Sequence, residues 1–165
     1  MAKVGLIMGS KSDFDVVKEC ITTLKSFGVE CDVIVSSAHR TPEQTVEWTK
    51  SAKSRGISVI VAFAGAAAHL AGVVASKTNL PVIAVPIAST TLGGLDSLLS
   101  SVQMPGGIPV ATMAIGKAGA KNAAIYACQI IALKDEVLYE KLELYRKEMA
   151  EKIEKDNLSL KDMLD

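Results

Sequence analysis

The chain has 165 residues, 18 basic and 18 acidic, with no formal net charge; 49% of it is hydrophobic and only 4% aromatic. That length fits one domain with a substantial core and is too short for two comfortable ones, and the absence of a basic block argues against an extended nucleic-acid surface. No apolar run reaches membrane-spanning length without an interrupting Gly, Pro, Lys or His, so no membrane partner is expected.

Lys3–Met8 is a short apolar run stopped by Gly9, the mark of a buried strand. Ser10-Lys11-Ser12-Asp13 follows, and then Phe14, Val17, Ile21 and Leu24 recur at helical spacing until Gly28. Residues 29–35 read as the second strand. In Ser37-Ala38-His39-Arg40-Thr41-Pro42, Thr41 is placed to cap a helix, Pro42 fits its first turn, and Gln44 completes a capping box. That helix runs over residues 43–53 and stops near Gly56. Residues 57–63 form the third strand, and Gly65-Ala66-Ala67-Ala68-His69-Leu70 leads into a small-residue helix reaching about Lys77. Residues 81–85 make a fourth strand. A loop rich in Ser, Thr and Gly over residues 88–94 precedes a short helix over Leu95–Val102. After the turn Pro105-Gly106-Gly107 come a last strand over residues 108–115 and an Ala-rich helix over residues 121–133.

Short Val-, Ile- and Ala-rich strands alternating with helices predict an α/β protein with a parallel sheet covered on both faces. With five such units, the architecture expected is a flavodoxin-like doubly wound parallel sheet, a three-layer αβα sandwich forming a single domain over residues 1–165. Strand order does not follow from periodicity. Residues 135–155 form an appended amphipathic helix whose stripe is Leu138, Leu142, Tyr145, Met149 and Ile153. The stripe packs either on a neighbouring subunit or back on its own sheet, and its pattern alone does not separate the two. Cys20, Cys31 and Cys128 are odd in number, widely spaced and free of metal-ligand patterns. They read as reduced thiols, and with no signal-peptide layout at the start a cytoplasmic protein is expected.

The informative feature is positional. In a parallel sheet, the turns after the first three strands emerge at one edge. Ser10 to Asp13, Ser37 to Arg40 and Gly65 to His69 therefore converge, and with them both histidines of the chain. Ser10, Ser12 and the helix start behind them suit a phosphate. Asp13, an acceptor only, suits sugar hydroxyls. Arg40 can neutralise the phosphate, and histidine is the side chain whose charge ordinarily changes near neutral pH. Each piece also has a plain structural reading: helix capping for Ser10 to Asp13, a surface histidine and helix-start arginine for His39 and Arg40, and tight helix–sheet packing for Gly65. No Walker A pattern and no GxGxxG after the first strand are present, and two histidines without clustered Cys or acidic residues argue against a catalytic metal.

Met8-Gly9-Ser10-Lys11-Ser12-Asp13, Ser37-Ala38-His39-Arg40-Thr41-Pro42 and Ala67-Ala68-His69-Leu70 occur in order. They are followed by Asp96-Ser97-Leu98, Gln103-Met104-Pro105, Gly116-Lys117-Ala118-Gly119 and Asn122-Ala123-Ala124. Together these closely resemble the N5-carboxyaminoimidazole ribonucleotide mutase family of purine biosynthesis, over nearly the whole chain to about Leu133. The resemblance implies a flavodoxin-like fold, a homo-octamer, no metal and no organic cofactor. It also implies a ribonucleotide substrate whose carboxylate moves from the exocyclic nitrogen to carbon 4 of the imidazole through CO2. By position, Ser10, Asp13 and Arg40 match the family's substrate-binding residues, Ser12, Ser37 and Gly65 further pocket residues, His39 its proton-transfer residue, and His69 the histidine of its third loop. Ala66 and Ala71 depart from the glycine and proline expected there. A sister class carboxylates free aminoimidazole ribonucleotide with CO2 and resembles this chain less, usually having Lys at the position of Arg40. A non-catalytic nucleotide-binding module on the same scaffold is the other alternative.

Overall fold

The structure is a computed structural model describing residues 2–164. Five parallel strands, β1 (Lys3–Met8), β2 (Glu30–Val35), β3 (Ile57–Gly65), β4 (Val82–Ile87) and β5 (Ala111–Thr112), lie in the order β2-β1-β3-β4-β5. This is the flavodoxin-like order, with its reversal between β1 and β3. Among the described residues the helices are α1 (Phe14–Ser26), α2 (Pro42–Ser51), α3 (Leu70–Ala75), α4 (Leu95–Val102), α5 (Lys117–Ala132) and α6 (Glu136–Asp162), with 3-10 turns at Lys11–Asp13 and Lys53–Arg55.

Alternation along the central strands builds two cores. Val4, Leu6 and Met8 of β1, with Val61 and Phe63 of β3 and Val85 of β4, pack against Val17 and Leu24 of α1 and the alanines of α5. The opposite face carries Ile7, Ile60, Ala62 and Ala84, packed against Trp48 of α2 and Leu70 and Val74 of α3. Each fully buried Val, Leu, Ile or Phe contributes about 1.5–3 kcal/mol, so sequence runs that are apolar on both faces become the three-layer sandwich. Trp48, the single tryptophan, lies so close over β1 that a Cβ on Gly5 would stand 2.8 Å from its ring. Its indole N–H donates to Asp32 Oδ1 at 3.4 Å, and the Arg55 guanidinium sits 5.1 Å from the ring centroid.

Several elements differ from expectation. The last strand shrinks from residues 108–115 to Ala111–Thr112. Gly107 turns the chain in the left-handed region (φ 97°), and Pro109 has no N–H to donate. Only the Met113 and Gly116 N–H groups carry the pairing further, to the carbonyls of Ala84 and Pro86. The third helix stops at Ala75, and α5 begins at Lys117, where Gly116 (φ 76°) turns the chain into it. The capping box is absent: Thr41 precedes α2 without a side-chain cap.

Helix α6 extends to Asp162, past the expected end at residue 155, and is capped by Asp135 Oδ1, which accepts from Leu138 N at 3.0 Å. It divides the predicted stripe. Leu138 and Leu142 are buried in the first core, the Tyr145 ring meets Phe27 edge-on at 5.4 Å, and Lys141 Nζ donates to the Phe27 carbonyl. Met149 and Ile153 stay 46% and 64% exposed. Of the two packings the pattern left open, the first three residues of the stripe take the second and pack on their own domain. A second uncovered apolar row, not anticipated, is Leu92, Leu95, Leu99 and Val102 at and before α4.

Candidate active site

The register sets Met8 beside Val35 on one side and Phe63 on the other, so β1 and β2 finish together and β3 runs two residues further, to Gly65. Ser36 N donates to Met8 O at 2.9 Å and Gly9 N to Phe63 O at 3.3 Å, holding the start of each turn to the neighbouring strand. The turns enclose a cleft of about 460 Å³ at the reversal of strand order, where open α/β sheets bind ligands. Ser10, Ser12, Asp13, Ser37, His39, Arg40, Gly65 and His69 all line it. The structure thus brings every residue singled out in the sequence to one place.

The first turn is organised by Ser10, whose Oγ accepts from Ser12 N at 3.3 Å and Ser12 Oγ at 2.9 Å. Asp13 is buried, and that burial raises its carboxyl above the ordinary value of 3.8, opposed in part by the Ser10 backbone, the Ser12 hydroxyl and Arg40. Arg40 is held from below: Nε donates to Ser37 Oγ at 3.3 Å and Nη2 to the Gly9 carbonyl at 2.9 Å. The other face of its fork is left for an anion.

His39 and His69 meet ring nitrogen to ring nitrogen, Nε2 to Nδ1 at 3.1 Å, with planes crossed at 80°. Such a contact needs one ring to donate and the other to accept. The contact therefore ties the orientation of each ring to the tautomer of the other.

Three features escaped sequence reasoning. The buried Ser36 hydroxyl bonds Thr41 Oγ1 at 3.1 Å and Thr45 Oγ1 at 2.8 Å, and Thr41 Oγ1 accepts from Ser37 N, so the supposed helix cap braces the second loop instead. Ser89 joins the cleft lining because Gly65 has no side chain; a Cβ there would overlap the Ser89 hydroxyl and stand 3.2 Å from the Ile87 carbonyl. Ala66, where a glycine was expected, adopts φ 53° nonetheless, a left-handed conformation costing a non-glycine residue about 1–2 kcal/mol. The Thr41/Thr45 spacing of one helical turn was the one available signal. Among the described residues no three His, Cys, Asp or Glu side chains gather as a metal site.

Comparison with known proteins agrees with this geometry. The family model described as AIR carboxylase matches residues 3–152. The N5-carboxyaminoimidazole ribonucleotide mutase of Pyrococcus horikoshii is 54% identical over 160 residues, 97% of this chain and 89% of that protein. The enzyme of the same name from Bacillus subtilis is 54% identical over 140 residues, 85% of this chain and 86% of its own length. The crystal structure of Treponema denticola PurE superposes with a TM-score of 0.88 at 31% identity, covering 97% of this chain and 99% of that one. The chain belongs to the AIR carboxylase family.

Proposed function

We propose that this chain is a mutase of purine biosynthesis, converting N5-carboxyaminoimidazole ribonucleotide to 4-carboxy-5-aminoimidazole ribonucleotide. The observation that carries the reading is the His39–His69 pair, set on the cleft that also holds Ser10, Ser12, Asp13 and Arg40. The relatives named as this mutase, at 54% identity, support it.

In the proposed mechanism the phosphate lies against Arg40 and the hydroxyls of Ser10 and Ser12, and Asp13 accepts from the ribose. Ser37 orients Arg40, and Gly65 lets ligand and the Ser89 segment approach the backbone closely. The carbamate N–C bond breaks, its electron pair returns to nitrogen, and CO2 is released inside the cleft. Carbon 4 of the electron-rich imidazole then attacks CO2 and forms the new C–C bond. The carbon-4 proton leaves, and one proton is gained at the exocyclic nitrogen. His39 transfers that proton as general acid and base, with His69 as its ring partner. The loop over residues 88–94 closes the cleft over CO2. No step needs a metal or an organic cofactor.

The assembly is a homo-oligomer, an octamer by family resemblance. The exposed apolar row Leu92, Leu95, Leu99 and Val102 and the outer half of α6 support association. The whole chain acts as one domain, in the cytoplasm, where Cys20, Cys31 and Cys128 remain free thiols.

The second reading is the sister carboxylase, which the name of the matching family keeps in view. Purified protein is assayed with the carbamate and, separately, with free aminoimidazole ribonucleotide plus CO2, without ATP, biotin or metal. Turnover of the carbamate, with weak activity on the amine except at high CO2, is expected. Efficient carboxylation of the amine at low CO2, with no conversion of the carbamate, assigns the chain to the sister class.

A further inference from the structure

The third loop is an unusual piece of backbone to carry a reacting side chain. It leaves β3 at Gly65, passes through a left-handed alanine at residue 66, and delivers His69 at the mouth of α3. A non-glycine residue stays in that conformation only where the surroundings impose it. The ring contact between His69 and His39 joins two exposed side chains and cannot by itself fix the backbone. His69 N donates to the Ala67 carbonyl at 2.9 Å within the loop, and a further restraint reaches in from another element. Ser100, on α4, accepts the Ala68 N–H on its Oγ at 2.8 Å. The same hydroxyl donates to its own helix, with the Asp96 carbonyl at 2.8 Å and the Ser97 carbonyl at 3.2 Å. Its proton is thus committed to α4, and its lone pairs face the loop. Ala68 is 3% exposed, so its backbone has no room to shift without disturbing the packing beneath it.

We infer that Ser100 is a positioning residue for the reaction: its hydroxyl locks the loop at Ala68 and so sets the separation of the His69 and His39 rings. Ser100 does not line the cleft; it acts through one backbone hydrogen bond, one residue before His69. Its neighbour Ser101 supplies the contrast, because its hydroxyl is buried and donates within α4 to the Ser97 carbonyl. A serine lost from the same helix turn without a bond to the loop should leave the histidines undisturbed.

The proposal rests on the two histidines working together, and its test has one arm that needs no substrate. The chain has two histidines, so imidazole 15N spectra of uniformly labelled protein hold signals from two rings only. Ser100→Ala should replace the hydrogen-bonded ring-nitrogen signature with that of water-exposed imidazoles. It should also lower kcat roughly 10- to 100-fold, with KM changed less than about 2-fold, as expected when a reacting group is displaced by a fraction of an ångström to an ångström. Ser100→Thr, which keeps an oxygen able to bond both the helix carbonyl and Ala68 N, should restore both readouts. Ser101→Ala should leave both as in the parent. The inference is overturned if Ser100→Ala keeps the paired-ring spectrum, if threonine fails to restore it, or if Ser101→Ala changes it equally. A parent that lacks turnover but shows the Ser100-dependent ring signature would count against the mutase reading while leaving this one standing.

Discussion

His39→Asn is the perturbation that bears most directly on the chemistry. The ring is exposed, is absent from both cores, and among the described residues has His69 as its side-chain hydrogen-bond partner. Its replacement therefore removes proton transfer without removing packing. Fold and substrate binding should survive, because the phosphate and ribose are assigned to Ser10, Ser12, Asp13 and Arg40. A positioned general acid–base contributes about 10²–10⁴ in rate, which at 1.36 kcal/mol per tenfold is about 2.7–5.4 kcal/mol of transition-state stabilisation. The 3.1 Å contact sharpens this into a cycle. If the two rings act as a unit, His69→Asn loses a comparable factor and the double variant loses little more than either single one. If they act independently, the losses multiply to about 10⁴–10⁸. The assay follows the ultraviolet absorbance of the aminoimidazole at saturating carbamate substrate. Near-parental turnover by His39→Asn, with turnover lost in His69→Asn, would reverse the assignment. Full multiplication of the two losses would refute the pair.

Arg40→Lys keeps the charge but cannot hold Ser37 Oγ and the Gly9 carbonyl while offering a planar fork outward. Calorimetry should show binding weakened by about 1–2 kcal/mol for the phosphorylated ligand, with little loss for a dephosphorylated analogue; equal losses would take Arg40 off the phosphate. Burial raises the Asp13 carboxyl, so its stabilising contribution is full below the ordinary value of 3.8 and lost as pH rises through the folded-state value. Asp13→Asn should therefore melt higher than the parent at pH 7 by circular dichroism, the gap closing near pH 4, while ribonucleotide affinity falls; a lower midpoint at pH 7 would contradict the sign. Truncation after Arg146 spares Leu138, Leu142 and Tyr145 but removes Met149 and Ile153. The fold should persist while light scattering reports a smaller assembly, and an unchanged assembly would clear the outer half of α6 of any role in association.

The convergence of the three loops was legible because it follows from parallel pairing alone: whatever the strand order, turns that follow parallel strands share an edge. The order itself was hidden, since β1 lies between β2 and β3 through hydrogen bonds that side-chain alternation does not encode. His39 and His69 could be placed at one edge, but their rings meet across 30 residues of sequence, and that contact depends on how two separate loops are held. Ser100 was invisible for the same reason, 32 residues from Ala68 and on a helix whose sequence reads as ordinary. The stripe on α6 was read correctly as amphipathic. Where it stops being covered depends on the helices it packs against, which the stripe itself does not record. Thr41 was misread because a capping box and a brace for the preceding loop use the same residue type at the same place.

Trp48 gives the chain an optical property of its own. Its indole is buried, lies over Gly5 of β1, donates to Asp32 of β2 and rides on α2, yet it is absent from the cleft lining. As the single tryptophan, it makes emission a one-site gauge of how the sheet edge is seated. A variant in the cleft that loses turnover yet keeps the parental emission maximum has lost chemistry. A red-shifted one has lost the seating of β1 against α2. Each cleft substitution described above thus carries a folding control within the same cuvette, read from a ring outside the cleft lining.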